Sequence, residues 1–210
     1  MNSKFRILAL AALALVASGC ASMSGDECAM SDWNAVGYED GSRGYTSDRF
    51  ANYRKACAKH GVSPDFRAYQ EGRDEGLVEF CQPSRGYNLG VSGGTYRGVC
   101  DVAMEEEFLD AYRVGHELYS LRSNVNSANA RIASKEGELG RIRDKIRDKE
   151  AALIAEETTT QDRVLILADL KELSERTGEL EAEIEVLIDE RAKHEYALAD
   201  YEQTVAAYGF

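Results

Sequence analysis

From Leu118 onward the chain carries a seam. Leu118, Leu121, Val125, Ala128, Ile132, Leu139, Ile142, Ile146 and Leu153 fall on an alternating three-four spacing. Ile166, Leu170, Leu173, Leu180, Ile184, Leu187, Leu198, Tyr201 and Val205 take the rhythm up again. An apolar residue roughly every 3.5 positions stays on one side of a helix only if that helix winds against another, so the pattern predicts coiled-coil packing. Between the two runs lies Thr158-Thr159-Thr160-Gln161-Asp162. Three β-branched polar residues weaken a helix, and Thr159 with Asp162 resembles a capping box that restarts one. The break falls nearly midway between residue 105 and the end of the sequence. The reading is an antiparallel hairpin over 105–210 that turns near 158–161, with a single uninterrupted, dimerising helix as its rival.

Charge favours the fold-back. Residues 131–150 carry seven basic and five acidic side chains, whereas 169–195 carry ten acidic and four basic ones. A turn near residue 159 lays the first stretch along the second, with opposite net charges on the flanks of the seam. The same fold-back brings Gly140 level with Gly178, which predicts a soft point or a close helix approach. Each glycine costs a helix interior up to about 1 kcal/mol relative to alanine.

Before residue 105 the composition is different. Eleven glycines lie between Gly37 and Gly98, and eight of the eleven tyrosines lie between Tyr38 and Tyr119. An aromatic residue followed by glycines recurs: Trp33 before Gly37 and Gly41, Tyr69 before Gly72 and Gly76, Tyr87 before Gly90, Gly93 and Gly94, and Tyr112 before Gly115. Gly86, Gly90, Gly94 and Gly98 keep a four-residue step, which on a helix makes a stripe where another backbone or a ring can lie close. Short helices are expected at 31–43, 47–60 and 64–80, the last started by Ser63-Pro64-Asp65. Residues 82–100 read as loop with at most a short helical piece. With two prolines in 210 residues and 30% charged residues, the fold class is all-α: a small, disulfide-stapled head rich in glycine and tyrosine over 28–104, and the long hairpin after it.

The N-terminus reads as an address. Lys4 and Arg6 precede an apolar run from Ile7 to Val16 that ends in Ser18-Gly19-Cys20. A basic start, a short apolar stretch and small residues before a cut make a bacterial secretory signal over 1–19. Ten apolar residues are too few for a permanent span. Cys20 after the cut resembles a lipobox, although Ala17 stands where leucine is commoner, and would be the acylated first residue, followed by a tether over 20–27. Ala21 is not the aspartate associated with inner-membrane retention, so the sorting rule implies the periplasmic face of the outer membrane. Removing 1–19 makes the formal charge of −12 more negative by two. Such a surface repels nucleic acid and anionic headgroups, leaving lipid as the means of attachment.

With Cys20 consumed, Cys28, Cys57, Cys81 and Cys100 remain, an even number for an oxidising compartment. Of three possible connectivities, Cys28–Cys57 with Cys81–Cys100 encloses two compact segments and is favoured. No CxxC or HxxxH pair suggests zinc, and no phosphate-cradling loop or other cofactor motif is present.

Together these residues resemble a bacterial family catalogued only as domain of unknown function 2799. The resemblance rests on Glu27-Cys28, Asp32-Trp33, Gly37, Asp40-Gly41, Gly44 and Cys57, then Pro64-Asp65, Tyr69, Gly72, Gly76-Leu77, Cys81 and Gly86-Tyr87. Gly90, Gly94, Tyr96, Cys100, Phe108, Tyr112, Gly115 and Tyr119 complete it, over about residues 26–121. It implies secreted lipoproteins of Gram-negative bacteria and brings no activity, cofactor or catalytic residue.

Three functions compete. The first is a structural or adaptor role, in which the hairpin holds an envelope protein partner near the membrane. The second is a cell-wall or glycan-binding module, with peptidoglycan as partner and Trp33, Tyr69, Tyr87 and Tyr96 as its face; against it stands the use of the same rings as core. The third is a hydrolase using Asp65, Glu71, Asp74 or Glu75, acids that read more simply as a solvated helix face. His60, His116 and His194 are scattered, and with four cysteines bridged no thiol is left as nucleophile. No catalytic residue is assigned.

Overall fold

The computed structural model describes residues 23–207, which are mostly helical with no strand among them. Its helices are α1 (Gly25–Met30), α2 (Trp33–Ser42), α3 (Arg49–Ala58), α4 (Phe66–Phe80), α5 (Pro83–Val91), α6 (Val102–Ile154) and α7 (Thr160–Ala207). Local chemistry sets their starts. Ser24 and Glu27 form a reciprocal capping box on α1. Asp32 caps α2 by accepting from the N–H groups of Asn34 and Ala35, and Asp65 caps α4 through Arg67 and Ala68. A cap of this kind contributes about 1 kcal/mol. Pro64 therefore lies just outside its helix, whereas Pro83 opens α5 in the first turn.

Two compact units result. One holds the described residues up to Cys81 together with Tyr96–Val102; the other holds Gln82–Thr95 and the chain from Ala103 on. The expected boundary near 104 thus moves for one segment. Residues 83–91, read as mostly loop, form α5 and belong with the long helices, because Gly86 and Gly90 lie on the backbone of α6 at Phe108 and Tyr112.

In the first unit α2 and α4 run side by side in the same direction. A Cβ on Gly37 would lie 2.0 Å from the Tyr69 carbonyl oxygen, on Gly41 2.2 Å from that of Arg73, on Gly72 1.9 Å from that of Asn34 and on Gly76 2.3 Å from that of Tyr38. Only hydrogen fits at these positions, so each glycine Cα–H points at a carbonyl across the crossing, a contact contributing on the order of 0.5–1 kcal/mol. Around the crossing Trp33, Phe50 and Tyr69 close over the Cys28–Cys57 bridge as the core. Phe50 lies 4.9 Å from both Phe66 and Tyr69, ring centre to ring centre. Cys81 is bridged to Cys100. Each bridge is expected to contribute about 3 kcal/mol by restricting the unfolded chain.

The second unit is dominated by α6, of 53 residues, and α7, of 48, about 80 and 72 Å long at 1.5 Å per residue. They form the antiparallel hairpin: Arg122 meets Glu202, Arg131 Glu190, Lys135 Glu183, Arg143 Glu181 and Lys149 Asp169. Every seam residue named from the sequence is buried or half-buried. Lys135, Lys149, Thr177, Arg191 and His194 fill the steps the aliphatics leave out, and all five are half-buried. Polar residues in a seam fix register at a cost in stability; the exposed ion pairs add orientation and only about 0.2–1 kcal/mol each. Lys135 holds the Glu183 carboxyl below its ordinary range, chiefly by hydrogen bonding.

The turn occupies 155–159. The Asp162 N–H donates to Thr159 Oγ1, as a cap requires, but the return bond goes from the Thr159 hydroxyl to the Asp162 carboxylate rather than from the backbone. Arg163 closes the turn by donating to the Ala155 and Thr158 carbonyls. Gly140 and Gly178 make no close approach, since a Cβ on either meets nothing within 4 Å. The four-step glycine stripe is also only half realised. Gly86 and Gly90 lie in α5, Gly94 lies beyond its end, and Gly98 takes a positive φ of 66° in the following loop.

Candidate functional site

One charged side chain stands out by burial. Asp40, in the last turns of α2, is 3% exposed. Its carboxylate accepts from the hydroxyls of Tyr69 at 3.0 Å and Tyr53 at 3.1 Å, and pairs with Arg49 Nε at 2.9 Å. Burial, then the neighbouring Asp40 charge, pushes the Tyr69 hydroxyl well above its ordinary range. Tyr53 is raised mainly by burial, and Arg49 mainly by its bond to Tyr53. The tyrosines are thereby held neutral as donors and the arginine is held charged.

Outward from Arg49 the cluster meets the surface. The guanidinium carbon of Arg49 lies 4.2 Å from the centre of the Tyr45 ring, and that of Arg97 lies 5.4 Å from it. Tyr45, Thr46, Asp48, Arg49, Asn52 and Arg97 line a concave surface of about 290 Å³. Arg97 is carried by the loop that the Cys81–Cys100 bridge closes, where the Cys100 N–H donates to the Tyr96 hydroxyl.

None of the five residues Asp40, Tyr45, Arg49, Tyr53 and Arg97 was marked by the sequence as a site. The signal was available only in the repeat: an acid stands among the glycines of α2, and none does among those of α5.

The residues that were marked are distributed differently. Trp33 and Tyr69 are core, Tyr69 with no exposed surface. Neither offers a ring face to a sugar, and this corrects the proposed aromatic surface at those two positions. Tyr87 and Tyr96 are half-buried, Tyr87 with its backbone against Gly115 and Tyr96 inside its disulfide loop. Of the acids, Asp65 is engaged as a helix cap, Glu71 pairs with Arg67, Asp74 lies 3.8 Å from Arg73, and all three with Glu75 are exposed. His116 lies between Tyr112 and Tyr119, and His194 faces Glu190 at 3.7 Å. Cys20, the signal segment and the tether as far as residue 22 lie outside the described residues; the rest of the expected tether is not free chain, since Ser24 caps α1 and Gly25 to Glu27 lie in it. Among the described residues no group of three His, Cys, Asp or Glu is placed to hold a metal ion, and no helix is long and apolar enough to cross a membrane.

The hairpin offers a surface of another kind. With its seam filled, it still exposes large apolar side chains beside the turn: Ile154, Val164, Leu165 and Leu167, all more than half exposed. A mostly apolar groove lined by Lys145, Asp148, Lys149, Ala152, Ile166, Asp169, Glu172 and Leu173 adjoins them, with a volume of about 640 Å³.

No curated protein and no solved structure is significantly similar to the chain. A family model described as protein of unknown function (DUF2799) matches residues 32–117. The match opens at the Asp32 cap of α2 and closes two residues past Gly115, so it takes in the glycine crossings of both units and leaves out most of the hairpin. Residues 32–117 therefore form a domain of this family of proteins of unknown function, DUF2799.

Proposed function

We propose that the chain is a lipid-anchored envelope protein acting as an adaptor, which engages a protein partner through the turn end of its coiled-coil hairpin. The observation that carries this reading is the apolar surface left over once the seam is filled. Contiguous exposed apolar residues are a cost in water and mark interaction surfaces. Ile154, Val164, Leu165 and Leu167 cluster at the one end of the hairpin where neither arm needs them for the other. The arms are also far longer than the two-helix contact needs for its own stability, as expected of a device for reach. Cys20 supplies the anchor, the outer membrane the location.

A photocrosslinking residue at Leu165, in cells, tests the reading. The expected result is one dominant crosslinked protein, lost in Val164→Glu with Leu167→Glu while the hairpin stays helical. A crosslinking pattern no different from that of a residue on the exposed flank, such as Glu175, refutes it. Mass spectrometry of the mature N-terminus tests the anchor: an acylated Cys20 is expected, and a free thiol there removes the tether on which an envelope adaptor depends.

A further inference from the structure

We propose that the first unit binds an oxyanion, a carboxylate or phosphate group on a small polar ligand, between Arg49 and Arg97 over Tyr45. This goes beyond the adaptor reading and is independent of the hairpin.

The chain has a formal charge of −12, yet two guanidinium groups converge on the ring of Tyr45. Neighbouring like charges repel, so their meeting costs energy that the fold does not visibly require. Arg97 has no carboxylate partner among the described residues. Arg49 does, but through its Nε edge, which is engaged by Asp40 and the Tyr53 hydroxyl. Its side chain remains 41% exposed, which leaves the terminal nitrogens for an incoming group. Fork-shaped donors of this kind match carboxylate and phosphate oxygens. The Asn52 amide and the Thr46 hydroxyl line the same concavity. Asp48 also lines it and, with Asp40 beneath, sets the polarity: a bound anion must lie on the arginine side, away from Asp48.

The second unit supplies a control within the same chain. Its glycine crossing is built on the same spacing, and there Leu89 stands at the place of Asp40 and Phe108 at the place of Tyr69. A leucine and a phenylalanine therefore suffice to pack such a crossing. Burying a carboxylate is expensive unless it is fully paired, so Asp40 is better explained as a positioning residue that fixes Arg49 before a ligand arrives. The Cys81–Cys100 bridge does the same for the loop bearing Arg97.

The test is a backbone NMR titration of the oxidised mature chain with inorganic phosphate and, separately, with glucuronate, each against sodium chloride at equal ionic strength. Saturable shifts at Tyr45, Asn52 and Arg97 with either probe, absent with chloride, are expected. Phosphate alone assigns a phosphate-bearing ligand, glucuronate alone a carboxylate-bearing one, and both an unselective oxyanion site. Arg97→Ala, at an exposed position, is expected to weaken binding about tenfold, as the loss of a charge-assisted hydrogen bond does. Asp40→Leu with Tyr69→Phe, which copies the other crossing, is expected to keep the fold and lose the binding. Shifts no larger than those from chloride, or affinity unchanged in Arg97→Ala, overturn the proposal.

Discussion

The two glycine crossings are versions of one design. Gly37, Gly41 and Gly44 answer to Gly86, Gly90 and Gly93; Tyr69, Gly72, Gly76 and Phe80 answer to Phe108, Ala111, Gly115 and Tyr119. The agreement extends to contacts. Gly37 lies on the Tyr69 carbonyl as Gly86 lies on that of Phe108, and Gly76 on that of Tyr38 as Gly115 on that of Tyr87. Gly44 and Gly93, both with φ near 70°, each receive an aromatic ring, Phe80 or Tyr119. Each crossing is also accompanied by a cystine that joins a residue before its first helix to the connection before its second. What differs is the filling: Asp40 and Tyr69 in one, Leu89 and Phe108 in the other. The backbone geometry is thus a property of the glycine spacing, and the buried charge is an addition to it.

The strongest way to break this correspondence is at Gly72. Its counterpart Ala111 carries a methyl group and stays buried, whereas a Cβ at Gly72 would lie 1.9 Å from a backbone oxygen. Helices cannot absorb that overlap by a rotamer change, so Gly72→Ala is expected to cost about 3 kcal/mol, the upper range for overpacking. Ala111→Gly is expected to cost only about 1 kcal/mol, from helix propensity. Denaturant unfolding of the two variants reads both. Equal losses would mean that the backbone approach at Gly72 is no closer than the one its counterpart Ala111 tolerates.

The next effect concerns the filling. Asp40→Leu alone leaves the Tyr53 and Tyr69 hydroxyls and Arg49 without their shared acceptor, and is expected to cost about 2 kcal/mol, discounted from the value for a fully buried pair because Arg49 reaches solvent. Adding Tyr69→Phe removes one orphaned hydroxyl and is expected to recover part of the loss. A double variant less stable than Asp40→Leu would show that the two crossings do not share a packing plan.

The same pair separates the crossings by pH. The Tyr69 hydroxyl has its folded pKa raised above the ordinary tyrosine value by burial and by Asp40. Its contribution is therefore complete below about pH 10, where the unfolded tyrosine titrates, and is lost as pH rises toward the folded value. Phe108 has no proton to lose. Hydrogen exchange in alkaline solution is expected to loosen α2 and α4 before α5, and Tyr69→Phe to narrow the gap. Simultaneous loosening of both crossings in the parent chain would contradict the assignment.

The sequence made some of this legible and hid the rest for physical reasons. The seam could be read because its period is local, and each of its named positions is at least half-buried. The cystines follow the compact pairing because short loops bring those cysteines together. The crossings could not be read in full. The aromatic-glycine phrase was visible, but Gly86 and Gly90 find their partners on α6, beyond a loop, and nothing local announces that pairing. Residues 83–91 therefore looked like loop. Nothing in the sequence set Asp40 apart as a buried charge, because its partners Arg49, Tyr53 and Tyr69 come from two other helices. For Trp33 and Tyr69 a binding face and a core role both stayed open, because composition cannot tell a ring turned inward from one turned outward.

Glycine itself gives the smallest test, and the one that sets the crossings against the hairpin. Gly140 and Gly178 lie in the interiors of α6 and α7, level with each other across the hairpin, as the crossing glycines are across theirs. Yet nothing stands within 4 Å of the place a Cβ would take on either. These two therefore carry the entropic cost of glycine in a helix with no close contact in return. Gly140→Ala and Gly178→Ala are each expected to stabilise the hairpin by up to about 1 kcal/mol, read as a raised thermal midpoint. A loss instead would assign the pair a hinge, with flexibility as its use. A gain leaves the crossings as the regions of this chain where glycine is required by shape.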